Sequence, residues 1–245
     1  MSRSKIPPNR LLHFILFLLL GAGTLAAQDG GNGKSEKSSG RLAWFVAVAV
    51  PEGLGNPVAI KSGMEVFEVT LSKRSVGDPV EIPADGLIRI IREVQHPEDP
   101  NKSVIDILAE FQIPQTVEKA LVILDPLPEP VGKLMFEAKV QDLADFGGGK
   151  TLYLNVSPRD VQVEINEEVI ELSEGEMQVT RDPRLDKAES RAVTYSYLNP
   201  LTNSWSKMGS SAIMLHPTRR EICIFTWNPR SERISYHGVT FPVTR

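Results

Sequence analysis

The sequence predicts an all-β protein made of two tandem antiparallel β-sandwiches of the immunoglobulin-like type. Three observations predict this fold class. Short apolar or alternating segments recur along the chain, turn-forming residues separate them about every ten residues, and a helical apolar period is sustained almost nowhere. The 245 residues, 41% of them hydrophobic, suffice for one large core or two small ones. A single elongated sandwich is the alternative.

Residues 1–27 have the layout of a secretory signal peptide. Three basic residues precede the apolar run 11–20, and small residues fill positions 21–27. We therefore expect cleavage after Ala26 or Ala27 and export to the periplasm or the outside of the cell. The alternative is an uncleaved membrane anchor, because the apolar stretch is at the short end of the ~20 residues that span a bilayer. We expect no other attachment to a membrane.

The charge of the chain excludes some classes of partner. Without residues 1–27, 24 basic residues face 31 acidic ones, so the net charge is −7 compared with −4 for the whole sequence. Binding to nucleic acid or anionic lipid requires Lys and Arg to neutralise phosphate, and this chain has no basic tract. We therefore expect no nucleic-acid partner.

The first half of the chain reads as a linker followed by strands. Residues 28–41 are rich in Gly, Ser and Lys and predict a flexible linker. Residues 42–50 (LAWFVAVAV) are apolar on both alternating faces and too short for a stable helix, so they predict a buried strand. The β-branched content around residues 103–111 favours a strand there over a helix. The strands predicted in this half are 42–50, 64–71, 87–91, 105–113 and 117–124.

A domain boundary is predicted at residues 125–132 (DPLPEPVG), whose three prolines indicate a stiff connector. It divides a sandwich over residues 42–128 from a second one over residues 133–245. In the second, residues 161–172 predict a hairpin that turns at Asn166, and Asn-Pro pairs at Asn199 and Asn228 predict two further turns. The strands predicted here are 134–140, 151–156, 161–165, 169–172, 177–180, 192–198, 204–215, 221–227 and 233–239.

Residues 144–151 (ADFGGGKT) satisfy a relaxed phosphate-loop pattern. Such a loop needs a helix after it, because backbone N–H groups at the helix N-terminus hold the phosphates. Residues 152–156 alternate as a strand does, so we interpret the segment as a glycine-rich turn. Cys223, the single cysteine, lies in an apolar strand and is interpreted as a core residue.

The sequence contains no metal-binding motif, and we expect no cofactor. His96, His216 and His237 are isolated from one another, and the acidic segment near Asn101 lacks the spaced oxygen ligands of a calcium loop. Three carboxylate pairs are candidates for general acid and base, but we interpret each as solvated turn charge. They are Asp142 with Asp145, Glu167 with Glu168, and Glu174 with Glu176.

Aromatic side chains suggest binding, since rings on an exposed sheet face stack against sugars. Trp44 and Trp227 lie at core positions of apolar strands, so we expect both to be buried. Trp205, between two serines just after a turn, is the candidate for exposure and for ligand binding. The tyrosines at positions 153, 195, 197 and 236 are further candidates.

Two stretches of the second half resemble a known group of proteins. Residues 152–177 contain an Asn-x-Ser-Pro turn, an alternating strand, a short hairpin and Leu-x-x-Gly-Glu, and the runs WSKMGSS at 205–211 and HPTRR at 216–220 follow. This pattern resembles uncharacterised exported β-sandwich proteins of Planctomycetes and Verrucomicrobia-type bacteria. The resemblance implies an all-β exported protein and carries over no activity or catalytic residue.

We therefore expect a non-enzymatic binding or structural module of the cell envelope, whose partner is a protein or a polysaccharide. The alternative is an extracellular polymer hydrolase that uses a carboxylate pair. Carboxylates converging in a concave pocket with perturbed protonation would favour the hydrolase. A flat apolar patch or an unprotected sheet edge would favour the binding module.

Overall fold

A computed structural model describes residues 40–99, 101–181 and 183–243 of the chain. These residues contain sixteen strands and no helix, which confirms the all-β class. Every segment predicted as a strand forms one, and β2 and β4 are additional. The strands are β1 (Leu42–Ala47), β2 (Val58–Ser62), β3 (Glu65–Val69), β4 (Val80–Glu81), β5 (Leu87–Gln95), β6 (Ser103–Gln112), β7 (Lys119–Val131), β8 (Leu134–Asp142), β9 (Thr151–Asn155), β10 (Val161–Ile165), β11 (Glu168–Leu172), β12 (Met177–Val179), β13 (Glu189–Asn199), β14 (Ser204–Leu215), β15 (Arg219–Asn228) and β16 (Arg233–Pro242).

The first sandwich packs two four-stranded sheets face to face. Sheet 1 has the order β4-β1-β7-β8, and sheet 2 has the order β3-β2-β5-β6. Phe45 and Val122 of sheet 1 share a core with Ile60 and Ile90 of sheet 2, and all four side chains are fully buried. Each strand supplies every second residue to this core, because side chains alternate across a sheet.

The second sandwich has the same construction. Sheet 3 has the order β12-β9-β15-β16, and sheet 4 has the order β11-β10-β13-β14. Tyr153 and Phe225 of sheet 3 share a core with Val163 and Tyr195 of sheet 4. The rings of Tyr195 and Phe225 meet edge to face with their centroids 5.4 Å apart, a favourable geometry for aromatic pairs.

The two sandwiches repeat one topology. Each strand of the first has its counterpart eight strands later, so sheet 1 corresponds to sheet 3 and sheet 2 to sheet 4. The first and seventh strands of each repeat, β1 with β7 and β9 with β15, pair in parallel. The other pairings are antiparallel. The predicted pair of sandwiches is therefore confirmed, with one parallel pairing inside each.

A third core joins the two sandwiches, because sheet 1 packs against sheet 3. Trp44 and Val46 of β1 contribute to it together with Leu154 of β9 and Ile224 of β15. The ring of Trp44 also lies 5.9 Å from the ring of Phe241. Strand β1 is consequently buried on both faces, as its unbroken apolar run predicts. The layers follow the order sheet 2, sheet 1, sheet 3, sheet 4.

The proline-rich segment 125–132 does not separate the sandwiches. It forms the end of β7 and the turn to β8, and β8 pairs with β7 inside sheet 1. The strand predicted at residues 134–140, which was expected to open the second sandwich, therefore belongs to the first. The chain passes from one repeat to the other through residues 143–150. The prolines fit because they occupy the hairpin end of β7, where the ladder pairing is interrupted after Pro126.

The predicted signal peptide and most of the predicted linker lie outside the described residues. The last residue of the predicted linker is described: the Arg41 guanidinium donates hydrogen bonds to the carbonyls of Val117 at 2.8 Å and Pro114 at 2.5 Å. Arg41 therefore belongs to the first sandwich. Within the described ranges, the fold offers no helix with the length and apolar character needed to span a bilayer.

Candidate functional site

Two neighbouring turns of the second sandwich form a groove of about 830 Å³. One joins β13 to β14, and the other joins β15 to β16. Asn199 Oδ1 accepts the N–H of Leu201 at 2.9 Å, and Asn228 Oδ1 accepts the N–H of Arg230 at 3.0 Å. The two Asn-Pro pairs thus form turns through local side-chain bonds, as the sequence predicts.

Three cations and two aromatic rings line this groove. We call it the basic groove and define it by Arg159, Tyr197, Lys207, Trp227 and Arg233. In the part of the chain that the structure describes, none of the three cationic side chains forms an ion pair. Its lining includes one acidic residue, Glu232, so the groove has two excess positive charges on a chain whose net charge is −4.

Trp227 does not occupy the core position predicted for it. It is half-buried and lines the basic groove. The parallel pairing between β15 and β9 ends at Phe225, which faces Asn155. Trp227 lies two residues beyond that point, where the neighbouring strand no longer covers β15. The period-two pattern through Cys223 and Phe225 is correct, but the pairing with β9 ends before Trp227, while β16 still pairs with β15 there.

Trp205 is exposed, as expected, with 37% of its surface accessible. It lies at the start of β14 directly opposite Leu198 of β13. Because side chains alternate, it faces away from the side of sheet 4 that carries Tyr195 and Tyr197. Trp205 does not line the basic groove, although Lys207, which lies on the same side of β14, does. Its role in ligand binding stays a prediction.

A second pocket, of about 550 Å³, adjoins the basic groove, since Trp227 lines both. Asp125 and Lys73 enter it from the first sandwich, and His237 enters it from β16. Burial raises the pKa of Asp125 to about 6, with Lys139 opposing the shift. Burial and the nearby charge of Lys73 lower the pKa of His237, whose Nε2 has no hydrogen-bond partner among the described residues.

One member of each predicted carboxylate pair accepts a hydrogen bond from a backbone N–H. Asp142 Oδ1 accepts the N–H of Ala144 at 2.8 Å, and Glu176 Oε2 accepts the N–H of Ser173 at 2.8 Å. Glu168, at the start of β11, accepts the N–H of Arg181, which lies beyond β12. Two carboxyl groups that line pockets have a raised pKa, Asp125 and Glu221, and neither belongs to these pairs.

The glycine-rich segment is a turn between β8 and β9, as we interpreted it. Its carbonyl at Phe146 accepts a hydrogen bond from the buried guanidinium of Arg220, which lies over the Phe146 ring at 5.9 Å from its centroid. Lys150 Nζ donates to the carbonyl of Asp145 at 2.9 Å. The lysine that would hold a phosphate in a true phosphate loop thus closes the turn on itself.

Cys223 lies in the core, as expected, and burial raises the pKa of its thiol to about 12. The thiol is therefore protonated at neutral pH, where a nucleophilic cysteine needs a thiolate. At the acidic turn near Asn101, Asp99 accepts the N–H of Asn101 at 3.1 Å and pairs with Lys102 at 3.0 Å. No cluster of metal-ligating side chains occurs within the described ranges.

Sequence reasoning missed the three cations of the basic groove, because they come from different turns and strands. A local signal does exist for the turns: Arg159 follows Pro158, and Arg230 follows Pro229, so basic residues come directly after turn prolines.

Comparison with known proteins adds no family to these observations. No protein-family model matches the chain, and no curated protein is significantly similar to it.

Proposed function

We propose that the protein is an exported, non-enzymatic binding module of the cell envelope, which takes an acidic polysaccharide in the basic groove. One observation carries the proposal: unpaired cations surround two partly exposed aromatic rings on a protein that is otherwise acidic. The signal-peptide pattern of residues 1–27 supports export, because it would bring this groove to extracellular polymers.

Charge favours an anionic ligand. Arg159, Lys207 and Arg233 have no carboxylate partner in the described structure, so a ligand carboxylate or sulfate supplies the charge they lack. Arginine binds such oxyanions through two parallel hydrogen bonds. The chain's overall negative charge repels polyanions elsewhere, which restricts their binding to this groove.

The aromatic residues favour a sugar polymer over a small anion. Trp227 and Tyr197 are both half-buried, so each ring is held in place by the protein while part of it stays accessible. Rings of this kind offer flat apolar surface and a polar edge, which suits the alternating faces of a sugar. An open groove between two turns also allows a chain longer than the site to pass through.

The test is affinity electrophoresis of the purified chain in gels that contain polygalacturonate or, as the neutral counterpart, dextran. We expect retardation by polygalacturonate alone, and we expect the retardation to weaken as NaCl rises, because the contacts are between charges. Equal mobility in both gels would contradict the proposal.

Matched variants locate the site. Lys207→Gln removes one charge from the groove, whereas Lys102→Gln removes the same charge from a turn of the first sandwich. We expect the first to weaken binding at least threefold and the second to leave it unchanged. Loss of binding in Trp205→Ala, with Lys207→Gln unaffected, would move the site from the basic groove to the exposed start of β14.

The alternative function is hydrolysis of an extracellular polymer, and the raised pKa of Asp125 favours it. A carboxyl group with a pKa of about 6 holds a proton at mildly acidic pH and can act as general acid. Incubating the chain with polygalacturonate and measuring reducing ends at pH 5.5 separates the two functions. Release of reducing ends that Asp125→Asn abolishes would establish the hydrolase.

A further inference from the structure

The eight edge strands of the four sheets are protected unequally against pairing with another chain. Six carry acidic or basic residues or are very short: β3, β4, β6, β8, β11 and β12. Strand β14 has none over residues 208–215 (MGSSAIML), and β16 has none over residues 234–241 (ISYHGVTF) apart from His237. Charges and prolines are the usual means of blocking an edge. The two unblocked edges are therefore long and uncharged.

These two edges border the same cleft, which has a volume of about 410 Å³. We call it the edge cleft and define it by Thr151, Tyr195, Ser211, Ile213, Tyr236 and Gly238. Its charged lining residues, Arg219 and Glu221, both lie at the start of β15. The remainder of the cleft is apolar or uncharged, so it suits an uncharged ligand.

The duplicated topology shows that the opening is particular to the second sandwich. In the first, the equivalent strands β6 and β8 lie against each other and close the core. Both carry charges there, among them Asp106, Glu110 and Glu137. In the second, β14 and β16 barely touch, and the cleft lies between them. One copy of the fold is closed, and the other exposes two free edges.

The floor of the cleft also contains a buried hydroxyl. Thr151 is 2% exposed and lines the cleft, and its Oγ1 makes no hydrogen bond of acceptable geometry within the described structure. The hydroxyl of Tyr153, which does not line the cleft, lies close to those of Thr151 and Tyr195, so the three hydroxyls form one buried polar cluster beneath the cleft.

We propose that the edge cleft binds an extended, uncharged polypeptide segment, which joins sheet 4 as an additional strand beside β14. Free backbone N–H and C=O groups of this edge strand bind the segment, and alternate side chains of the segment enter the cleft. Eight uncharged residues of β14 span about 26 Å, enough to pair with a segment of similar length. This site lies apart from the basic groove and does not depend on it.

Amide hydrogen exchange of the full chain tests the proposal, with a synthetic decapeptide of alternating valine and threonine between terminal lysines as the probe. We expect the probe to slow exchange in residues 208–215. A matching decapeptide with proline at every second position cannot donate those hydrogen bonds, so we expect no protection from it. Absence of protection by the first peptide overturns the proposal. If β14 is protected in the absence of peptide, and this protection grows with protein concentration, the strand pairs with a second copy of the chain. That result also overturns the proposal.

Variants separate the cleft from the rest of β14. Ser211 lines the cleft, whereas the next residue, Ala212, faces the other side of the strand, so Ser211→Lys and Ala212→Lys form a matched pair. Fluorescence anisotropy of the labelled probe should show affinity at least tenfold weaker for the first and within twofold of the parent for the second. Gly238→Val fills the cleft from β16 without adding charge, since a Cβ there is 3.9 Å from the carbonyl oxygen of Ile222. It should also abolish binding, and unchanged affinity in both cleft variants would contradict the assignment.

Discussion

Asn155 is a fully buried polar residue whose amide holds together the start of the second sandwich. Its Nδ2 donates to the carbonyls of Arg159 at 2.8 Å and Leu172 at 2.9 Å, and its Oδ1 accepts the N–H of Ser157 at 3.0 Å. Asn155→Ala leaves these buried groups without a partner, so we expect a loss of about 3 kcal/mol in the free energy of unfolding. Urea denaturation measures it.

Asn56 provides the control, because it has the same task in the first sandwich. Its amide exchanges two hydrogen bonds of 2.9 Å with the backbone of Leu71, but Asn56 itself is exposed. Water can replace those bonds, so Asn56→Ala should cost only about 1 kcal/mol. Equal losses for the two variants would show that burial is not what makes Asn155 important.

Asp125 makes stability depend on pH. Burial raises its pKa from 3.8 to about 6, so the folded state binds the proton more tightly than the unfolded state does. This contribution is fully present below pH 3.8 and is lost as the pH rises through about 6. Asp125→Asn should therefore stabilise the protein at pH 7 by about 1 to 2 kcal/mol, a value reduced for partial exposure, with no gain at pH 3.5.

Thermal melts of the two proteins at both pH values test this prediction. Asp142→Asn, at a carboxylate bonded to the N–H of Ala144, is the comparison. That variant should give no gain at pH 7. A gain for Asp125→Asn that persists at pH 3.5 would mean that the amide acts through packing and not through the lost charge.

At the scale of elements, substitutions in the turn between β8 and β9 test why the chain needs three successive glycines there. A Cβ on Gly148 would lie 1.8 Å from the carbonyl oxygen of Pro217, whereas a Cβ on Gly147 would meet nothing within 4 Å. Gly148→Ala should destabilise by about 1 to 3 kcal/mol, as overpacked sites do. Gly147→Ala should change stability by less than about 0.5 kcal/mol.

Thermal unfolding distinguishes this packing role from a phosphate-binding one. If the glycines bound phosphate, Gly147→Ala and Gly148→Ala would unfold at similar temperatures. The two variants would then differ from each other in their binding of phosphate. A stability loss confined to Gly148→Ala, with no shift of the melting temperature by added phosphate in the parent, supports the close approach to Pro217.

The sequence predicts those elements best whose pattern is set by burial. The run 42–50 is apolar on both faces because β1 lies between two cores, and that cause is visible in single residues. Strand β4 has two residues, so it exists only through its pairing with β1 and has no periodicity to detect. The position of β8 likewise depends on pairing with β7, which the prolines of 125–132 obscured.

For the candidate sites, too, local features could be predicted from the sequence, and features that depend on distant contacts could not. Exposure of Trp205 could be predicted, because its serine neighbours and the preceding turn are local features. The basic groove could not, because Arg159, Lys207 and Arg233 are brought together only when separate turns meet. The edge cleft is a property of two strands whose separation depends on the whole second sandwich.

At the scale of the whole molecule, the two copies of one fold differ in what they expose. The first has charged edges and a closed core, and its Arg89–Glu110 and Arg92–Asp106 pairs lie on β5 and β6. The second contains the edge cleft and all the residues that define the basic groove. The shared core between sheets 1 and 3 fixes the first copy to the second, so we assign the first a supporting role and the second the binding surfaces.

Because both sandwiches share this core, we predict that a cavity-forming substitution at its centre destabilises both of them. Ile224 is fully buried between sheets 1 and 3, so Ile224→Ala should lower the free energy of unfolding by about 2 to 5 kcal/mol. Amide exchange in sheet 2 and sheet 4 should accelerate together. Val169→Ala, at a side chain 57% exposed, is the control and should change neither.

Differential scanning calorimetry of the chain tests the continuous four-layer fold most directly. Because sheets 1 and 3 bury their apolar faces against each other, we expect one transition whose calorimetric and van't Hoff enthalpies agree. Ile224→Ala should shift that transition as a whole. Two separated transitions, with Ile224→Ala lowering only the one that belongs to the second sandwich, would show that the copies fold independently and would contradict the account.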